Sequence, residues 1–216
     1  MSNEDCWLVF ANHACFTPGS GRNATSLEKI GREIVKKCKG LPLAAQSLGG
    51  ILRRKHGIVD WSNVLKSDIW ELSESESKII PALRISYHYL PPHLKRCFVY
   101  CSLYPKDYEF EKNDLILLWM AEDLLFPPRK GMTLEEVGSE YFDYLVSRSC
   151  FQQSSTRNMS FVMYDLMHDL ATFIGGEFFF RSEELGKETK INIKTRHLSF
   201  AKFDGLISEN LKYLVE

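Results

Sequence analysis

From Ile80 onward the sequence lays down helical periods first and β-prone runs afterwards, and this order narrows the fold more than any other feature. Apolar residues at 3.6-residue spacing predict helices over Ile80 to Tyr89, Pro92 to Ser102, Asn113 to Asp123 and Thr133 to Arg148. Thr133 with Glu136 makes a capping box in front of the last of these. Two short runs, Phe151 to Ser154 and Phe161 to Tyr164, flank the turn-rich Ser155-Thr156-Arg157-Asn158 and predict a β-hairpin. A closing helix is expected from Asp165, a good N-cap, carrying Leu166, Leu170, Phe173 and Ile174. Three or four helices followed by a hairpin is the order of a winged helix.

The residues upstream read as helices throughout. Ser2 and Asp5 form a capping box ahead of Trp7, Leu8, Phe10, Ala11 and Ala14, and a loop rich in Gly, Ser and Asn follows from Thr17 to Thr25. Leu27, Ile30, Ile34, Val35 and Cys38 mark one face of a second helix, with Gly40 as its expected left-handed stop. Pro42 suits the first turn of a third helix, continued by Leu43, Ala44, Ser47, Leu48, Ile51 and Leu52 toward Arg53-Arg54-Lys55. A short helix from Trp61 to Lys66 leads into Ser73-Glu74-Ser75-Glu76-Ser77, and a junction is expected near residue 80. The expected fold class is therefore mainly α: a small helical bundle over residues 1–80, a winged-helix subdomain with a short β-hairpin over 81–185, and a linker over 186–216. In the last part, Phe178 to Arg181 and His197 to Phe200 look like strands, and Leu206, Leu211 and Leu214 end a tail too short to display a repeat.

Charge and composition remove several function classes. The 27 basic and 28 acidic side chains leave a net charge of −1, which offers no general field for nucleic acid or anionic membrane. Within residues 81–185, 10 basic side chains stand against 15 acidic ones, and Asn113 to Asp123, the helix that would enter a major groove, has no Lys or Arg. DNA is therefore not an expected partner. The longest apolar run, Leu115 to Ala121, is too short for a membrane span, and the acidic Met1-Ser2-Asn3-Glu4-Asp5 is no secretory signal. Cys6, Cys15, Cys38, Cys97, Cys101 and Cys150 are scattered, so they are expected as buried thiols in a reducing compartment. The glycosylation sequons at Asn23 and Asn158 are then chance matches.

Three constellations invite chemistry. Gly19-Ser20-Gly21-Arg22-Asn23-Ala24 has the spacing of a dinucleotide fingerprint but follows a helix instead of a strand. His93, Cys97 and Cys101 could share one helix face as metal ligands, yet a fourth ligand is missing and the helix reads as core, so no metal site is expected. No phosphate-cradling Gly-x-x-x-x-Gly-Lys-Ser/Thr occurs anywhere. Met167-His168-Asp169 suggests an HD-type phosphohydrolase, which would need further His and Asp ligands. Neighbours on a helix diverge, so Asp169 is poorly placed to orient His168 as a catalytic dyad, and spacing alone predicts a surface-facing pair.

Taken together, Gly40-Leu41-Pro42-Leu43-Ala44, Leu94-Lys95-Arg96-Cys97-Phe98-Val99-Tyr100-Cys101-Ser102-Leu103-Tyr104-Pro105, Leu117-Leu118-Trp119-Met120-Ala121-Glu122 and Met167-His168-Asp169-Leu170 resemble the ordered motifs of plant NB-ARC leucine-rich-repeat disease-resistance proteins. Asp5-Cys6-Trp7-Leu8-Val9-Phe10 is similar to a further motif, and His197-Leu198-Ser199-Phe200 to the lead-in of the repeats. Trp119 fits the coiled-coil branch of that family. The resemblance implies part of the ADP/ATP switch of an intracellular, cytoplasmic immune receptor acting in defence. Pro42 would then lie against adenine, His168 would donate to the β-phosphate of ADP, and Asp169 would stabilise the closed arrangement. Gly40, Leu41, Leu43 and Met167 would serve the interdomain switch. An imidazole N–H and a helix N-terminus are both suited to a phosphate oxygen. The implied partners are an upstream nucleotide-binding domain, downstream leucine-rich repeats and, indirectly, a pathogen effector or guarded host protein. In that family the phosphate loop, its lysine and the Mg²⁺-binding aspartate precede the opening motif, so this chain is expected to be a fragment that is not an enzyme and holds ADP weakly. A winged-helix nucleic-acid-binding protein and an HD-type phosphohydrolase are the alternatives.

Overall fold

The computed structural model describes residues 1–19, 21–53, 55–71, 81–126, 131–157, 159–182 and 192–200. Ser73 to Ser77, the junction expected near 80, the sequon at Asn158 and the tail leucines lie outside them. Helix α1 (Asn3–Ala14) starts at the expected capping box: Ser2 Oγ accepts from the Asp5 amide at 3.1 Å, and the Asp5 carboxylate accepts from the Ser2 amide at 3.2 Å. Then come α2 (Ala24–Lys37), α3 (Pro42–Leu52) and α4 (Ile58–Leu65). The turn into α3 uses two left-handed residues, Lys39 and Gly40, where one glycine was expected. A Cβ on Gly40 would sit 2.8 Å from the Met1 carbonyl oxygen, so that close approach also requires glycine.

α3 is the most enclosed of these helices, with every residue but one from Leu43 to Leu52 buried. Its two adjacent glycines let backbones approach from different sides. A Cβ on Gly49 would lie 2.5 Å from the Phe10 carbonyl oxygen of α1, and one on Gly50 would lie 3.1 Å from the Ser147 carbonyl oxygen. Around α3, Trp7, Phe10, Ile34, Leu48 and Trp61 form one hydrophobic cluster.

A second cluster gathers Phe98, Trp119, Phe142 and Met167. Its frame is α5 (Pro81–His88), α6 (Pro92–Tyr100) with a 3-10 turn at Cys101–Leu103, β1 (Glu109–Glu111), α7 (Lys112–Ala121) and α8 (Leu134–Ser147). β2 (Phe151–Gln153), β3 (Ser160–Met163) and α9 (Asp165–Gly175) complete it. The architecture is mainly α, with a winged helix whose α8 opens on the Thr133–Glu136 capping box. α5 serves both clusters, Ala82 and Ile85 facing the first and Leu83 the second, and Leu43 of α3 belongs to the second.

The wing holds one strand more than the predicted hairpin. β1 pairs antiparallel with β3, giving the order β1-β3-β2, with Phe110 opposite Phe161 and Phe151 opposite Met163. Glu109-Phe110-Glu111 offers a single apolar residue between two charges, and the strand forms because β3 supplies its ladder and Phe110 is buried against Phe151. β4 (Phe179–Ser182) and β5 (His197–Phe200) pair in parallel, Phe179 opposite His197. The sequence of α7 is apolar on nearly all sides, which predicts burial all round. The helix buries Leu115, Ile116 and Trp119 against the core but leaves Leu117 56% exposed and Leu118 half-buried, because it is covered from one side only. Among the described residues no helix is long and apolar enough to cross a membrane.

Gly49→Ala should be destabilising despite the better helix propensity of alanine, worth about 1 kcal/mol. The new methyl meets backbone, which cannot rotate away, and overpacking of this kind costs roughly 1–3 kcal/mol. The expected outcome is a lower thermal midpoint for Gly49→Ala than for the unsubstituted chain; an unchanged or raised midpoint would show that α1 and α3 separate freely.

Candidate functional site

Helix α9 follows β3 directly. Tyr164 is its N-cap, and Asp165, expected in that place, takes the first helical position, where its charge still complements the N-terminal dipole. Three successive residues then enter three environments. Met167 is buried in the second cluster, His168 is 5% exposed, and the Asp169 side chain is about half-exposed. The surface-facing histidine expected from spacing is therefore corrected: the ring turns inward because a polar partner waits there.

That partner is the Tyr104 carbonyl oxygen, 2.8 Å from His168 Nε2. A carbonyl can only accept, so Nε2 carries the hydrogen. Among the described residues the buried Nδ1 has no partner. Burial lowers the pKa of His168, and the charges of Arg181 and Lys106 act the same way, while the Tyr104 bond and Asp169 oppose them. The ring is thus held neutral with an open lone pair on Nδ1. The same Tyr104 oxygen accepts from Arg181 Nη1 at 2.9 Å.

Asp169 does not meet His168. It pairs with Lys106 Nζ at 2.7 Å, and this lysine is held above its ordinary pKa chiefly by that contact. Both residues of α9 therefore dock on one loop, Tyr104-Pro105-Lys106, between the 3-10 turn and β1. The Tyr104 ring fixes the loop by packing against Tyr108 (4.6 Å) and Phe110 (5.1 Å), and burial raises its phenol pKa.

The other motif is held by the same core. Pro42 is the first residue of α3 and half-buried, Gly40 sits in the turn before it, and Leu41 and Leu43 pack against the cluster that contains Met167. The remaining candidates separate. Cys97 and Cys101 are fully buried, the Cys97 thiol pushed up to about 12 by burial, and His93 lies against the rings of Tyr141 and Phe126. No group of three or more His, Cys, Asp or Glu side chains among the described residues could hold a metal ion. Gly19 and Gly21 lie in the loop between α1 and α2, both with positive φ, and Ser20 is outside the described residues. Gly21, Arg22 and Asn23 of that loop and Ala24 at the start of α2 line a cavity of about 300 Å³ together with Phe16, Lys55, His56 and Trp61, and none of Pro42, His168 and Asp169 reaches it. Cys15, expected to be buried, is exposed at the end of α1. Sequence reasoning does not single out Tyr104, Lys106 or Arg181 as site residues. The role of Tyr104 belongs to its backbone, which leaves no side-chain signal, while the pairing of Lys106 depends on a contact distant in sequence.

Because the folded pKa of His168 lies below its ordinary value of 6.5, unfolding takes up a proton in weak acid. His93 and His13, also lowered by burial, act in the same direction. Stability from these rings is complete above the unfolded value and is lost as pH falls below it. The thermal midpoint should therefore fall between about pH 6.5 and 5, and His168→Gln should flatten part of that slope. A slope identical in both proteins would show that the His168 ring titrates as it does unfolded.

The disease resistance protein winged helix domain profile matches residues 103–171, which run from the end of the 3-10 turn through the first two turns of α9. The chain is 43% identical over 202 residues to the disease resistance RPP13-like protein 1 of Arabidopsis thaliana, covering 94% of this chain and 19% of that protein. Disease resistance protein RGA2 of Solanum bulbocastanum is 49% identical over 174 residues, 80% of this chain and 18% of its own length. Disease resistance protein RPM1 of Arabidopsis thaliana is 35% identical over 177 residues, 79% of this chain and 19% of its own length. The chain thus spans about a fifth of the length of these relatives. The match covers the docked loop, the wing and the His168 turn as one continuous unit: the chain belongs to the plant disease-resistance protein family and carries its winged-helix domain.

Proposed function

We propose that this chain is part of the ADP/ATP-dependent switch of an intracellular plant immune receptor, acting in defence from the cytoplasm. The observation that carries the reading is the shared core of the two motifs: Leu41 and Leu43 pack on the cluster that holds Met167, so Pro42 and His168 are carried by one packed unit. In this reading Pro42 lies against the adenine of a nucleotide, and Asp169, through Lys106, secures α9 in the closed arrangement. ADP or ATP supplies a phosphate acceptor; the chain supplies the donors and contributes no catalytic group. The unpartnered Nδ1 fits such an acceptor on one condition. With Nε2–H committed to Tyr104, the ring must take a second proton on Nδ1 or release the carbonyl before it donates to an oxyanion.

The proposed partners are a nucleotide-binding domain and leucine-rich repeats of the complete receptor, with an effector or guarded host protein acting through them. A nucleic-acid reading is weaker, since α7 packs its buried face on the core and Lys112, the cation at its start, is paired with Asp143 at 2.6 Å.

A chimera joining a relative's nucleotide-binding domain to this chain should retain ADP. His168→Ala and Asp169→Val should each speed ADP release and favour the open state, about tenfold for every ~1.4 kcal/mol by which the closed state is weakened. The exposed Lys106–Asp169 pair contributes little to the fold, so Asp169→Val should barely move the chain's own thermal midpoint. A chimera whose ADP release ignored both substitutions would sink the switch reading.

A further inference from the structure

We propose that Arg181 is a positioning residue for His168: by donating to the same Tyr104 carbonyl oxygen it sets how firmly the imidazole is held, and so ties the strand pair β4–β5 to α9. The two donors approach that oxygen to 2.8 Å and 2.9 Å from different elements, His168 from α9 and Arg181 from β4. A carbonyl oxygen has two lone pairs, so this pair of donors saturates it, and neither can shift without changing what the other receives. The guanidinium is charged at any working pH and keeps its share of the oxygen throughout.

Arg181 is itself placed by the strand pair. It stands opposite Ser199 in the parallel ladder, whose first pair is secured by Phe179 stacked on His197 at 4.6 Å. The Arg196 amide donates to the Phe178 carbonyl at 2.9 Å, and His197 Nδ1 lies 3.2 Å from a Glu122 carboxylate oxygen. A displacement of β5 would therefore be felt at Arg181. Arg181 and Lys106 disfavour a second proton on His168, and Asp169 and the Tyr104 carbonyl favour it. Of the other elements packed on α9, α6 and the turn after it bring the protonated thiols of Cys97 and Cys101, and Arg84 of α5 lies over Phe173 farther along the helix. Withdrawing Arg181 leaves the carbonyl to His168 and removes an opposing charge, and both changes make the doubly protonated ring easier to form. The inference stands whether or not His168 meets a phosphate, since it concerns only groups within this chain.

The test is the ¹⁵N spectrum of the His168 ring, followed against pH in the intact chain without nucleotide. The unsubstituted protein should show the Nε2–H tautomer. Arg181→Ala should raise the proton affinity of His168 at least roughly threefold, and Arg181→Lys, which keeps a charged donor, should restore most of the original value. Arg196→Ala removes a cation beside Phe178 that does not touch Tyr104, and it should leave the titration unchanged. If Arg181→Ala does not fold, Arg181→Gln removes the charge and should still raise the affinity. An unchanged His168 titration in a folded Arg181→Ala or Arg181→Gln protein, or an equal shift in Arg196→Ala, overturns the proposal.

Discussion

The close approach of α3 to its neighbours is the constraint on which the remaining arrangement rests. Gly49 admits the backbone of α1, and Gly50 admits the end of α8. Without those two bare positions α3 could not lie inside the first cluster and also touch the helix that opens the wing. Leu43 extends the link by packing into the second cluster, and α5 repeats it with residues facing both ways. Interiors packed to crystal-like density transmit small displacements. The turn that carries Pro42 is therefore located by the same contacts that locate Met167.

The His168 turn shows how little the identity of a residue says without its surroundings. Met167, His168 and Asp169 diverge around the helix, one into the core, one to a backbone oxygen and one to a surface lysine. The histidine keeps its proton on Nε2 through the buried carbonyl, while the aspartate meets Lys106 in a solvent-exposed pair. A buried polar atom without a partner carries a desolvation cost, and Nδ1 is such an atom among the described residues. The cost makes the turn responsive to whatever polar group reaches it.

Much of the fold was legible because its signals are local. Both capping boxes, the proline at the first position of α3 and the 3.6-residue stripes of α1 to α3 depend on neighbours within one or two turns. What escaped was decided by contacts distant in sequence. β1 exists because β3 pairs with it across the wing, and Leu117 is exposed because α7 is covered from one side. At the site, the residue types of Met167, His168 and Asp169 were visible, but the inward turn of His168 was not. Its partner lies 64 residues away and presents a main-chain atom that any residue could have supplied. The Asp169–Lys106 pair was hidden for a similar reason, being one of many possible pairings of opposite charges.

The distribution of the cysteines has a practical consequence. Cys6, Cys38, Cys97, Cys101 and Cys150 are buried, and Cys15 alone is exposed, with Arg53 Nε 3.4 Å from its sulfur. Thiol reagents act on accessible thiolates, so the folded chain offers them a single address at the end of α1. One fluorophore or spin label can be placed there without engineering the other five positions. Each further equivalent taken up then counts a buried cysteine brought into solvent, which makes the chain its own reporter of local opening.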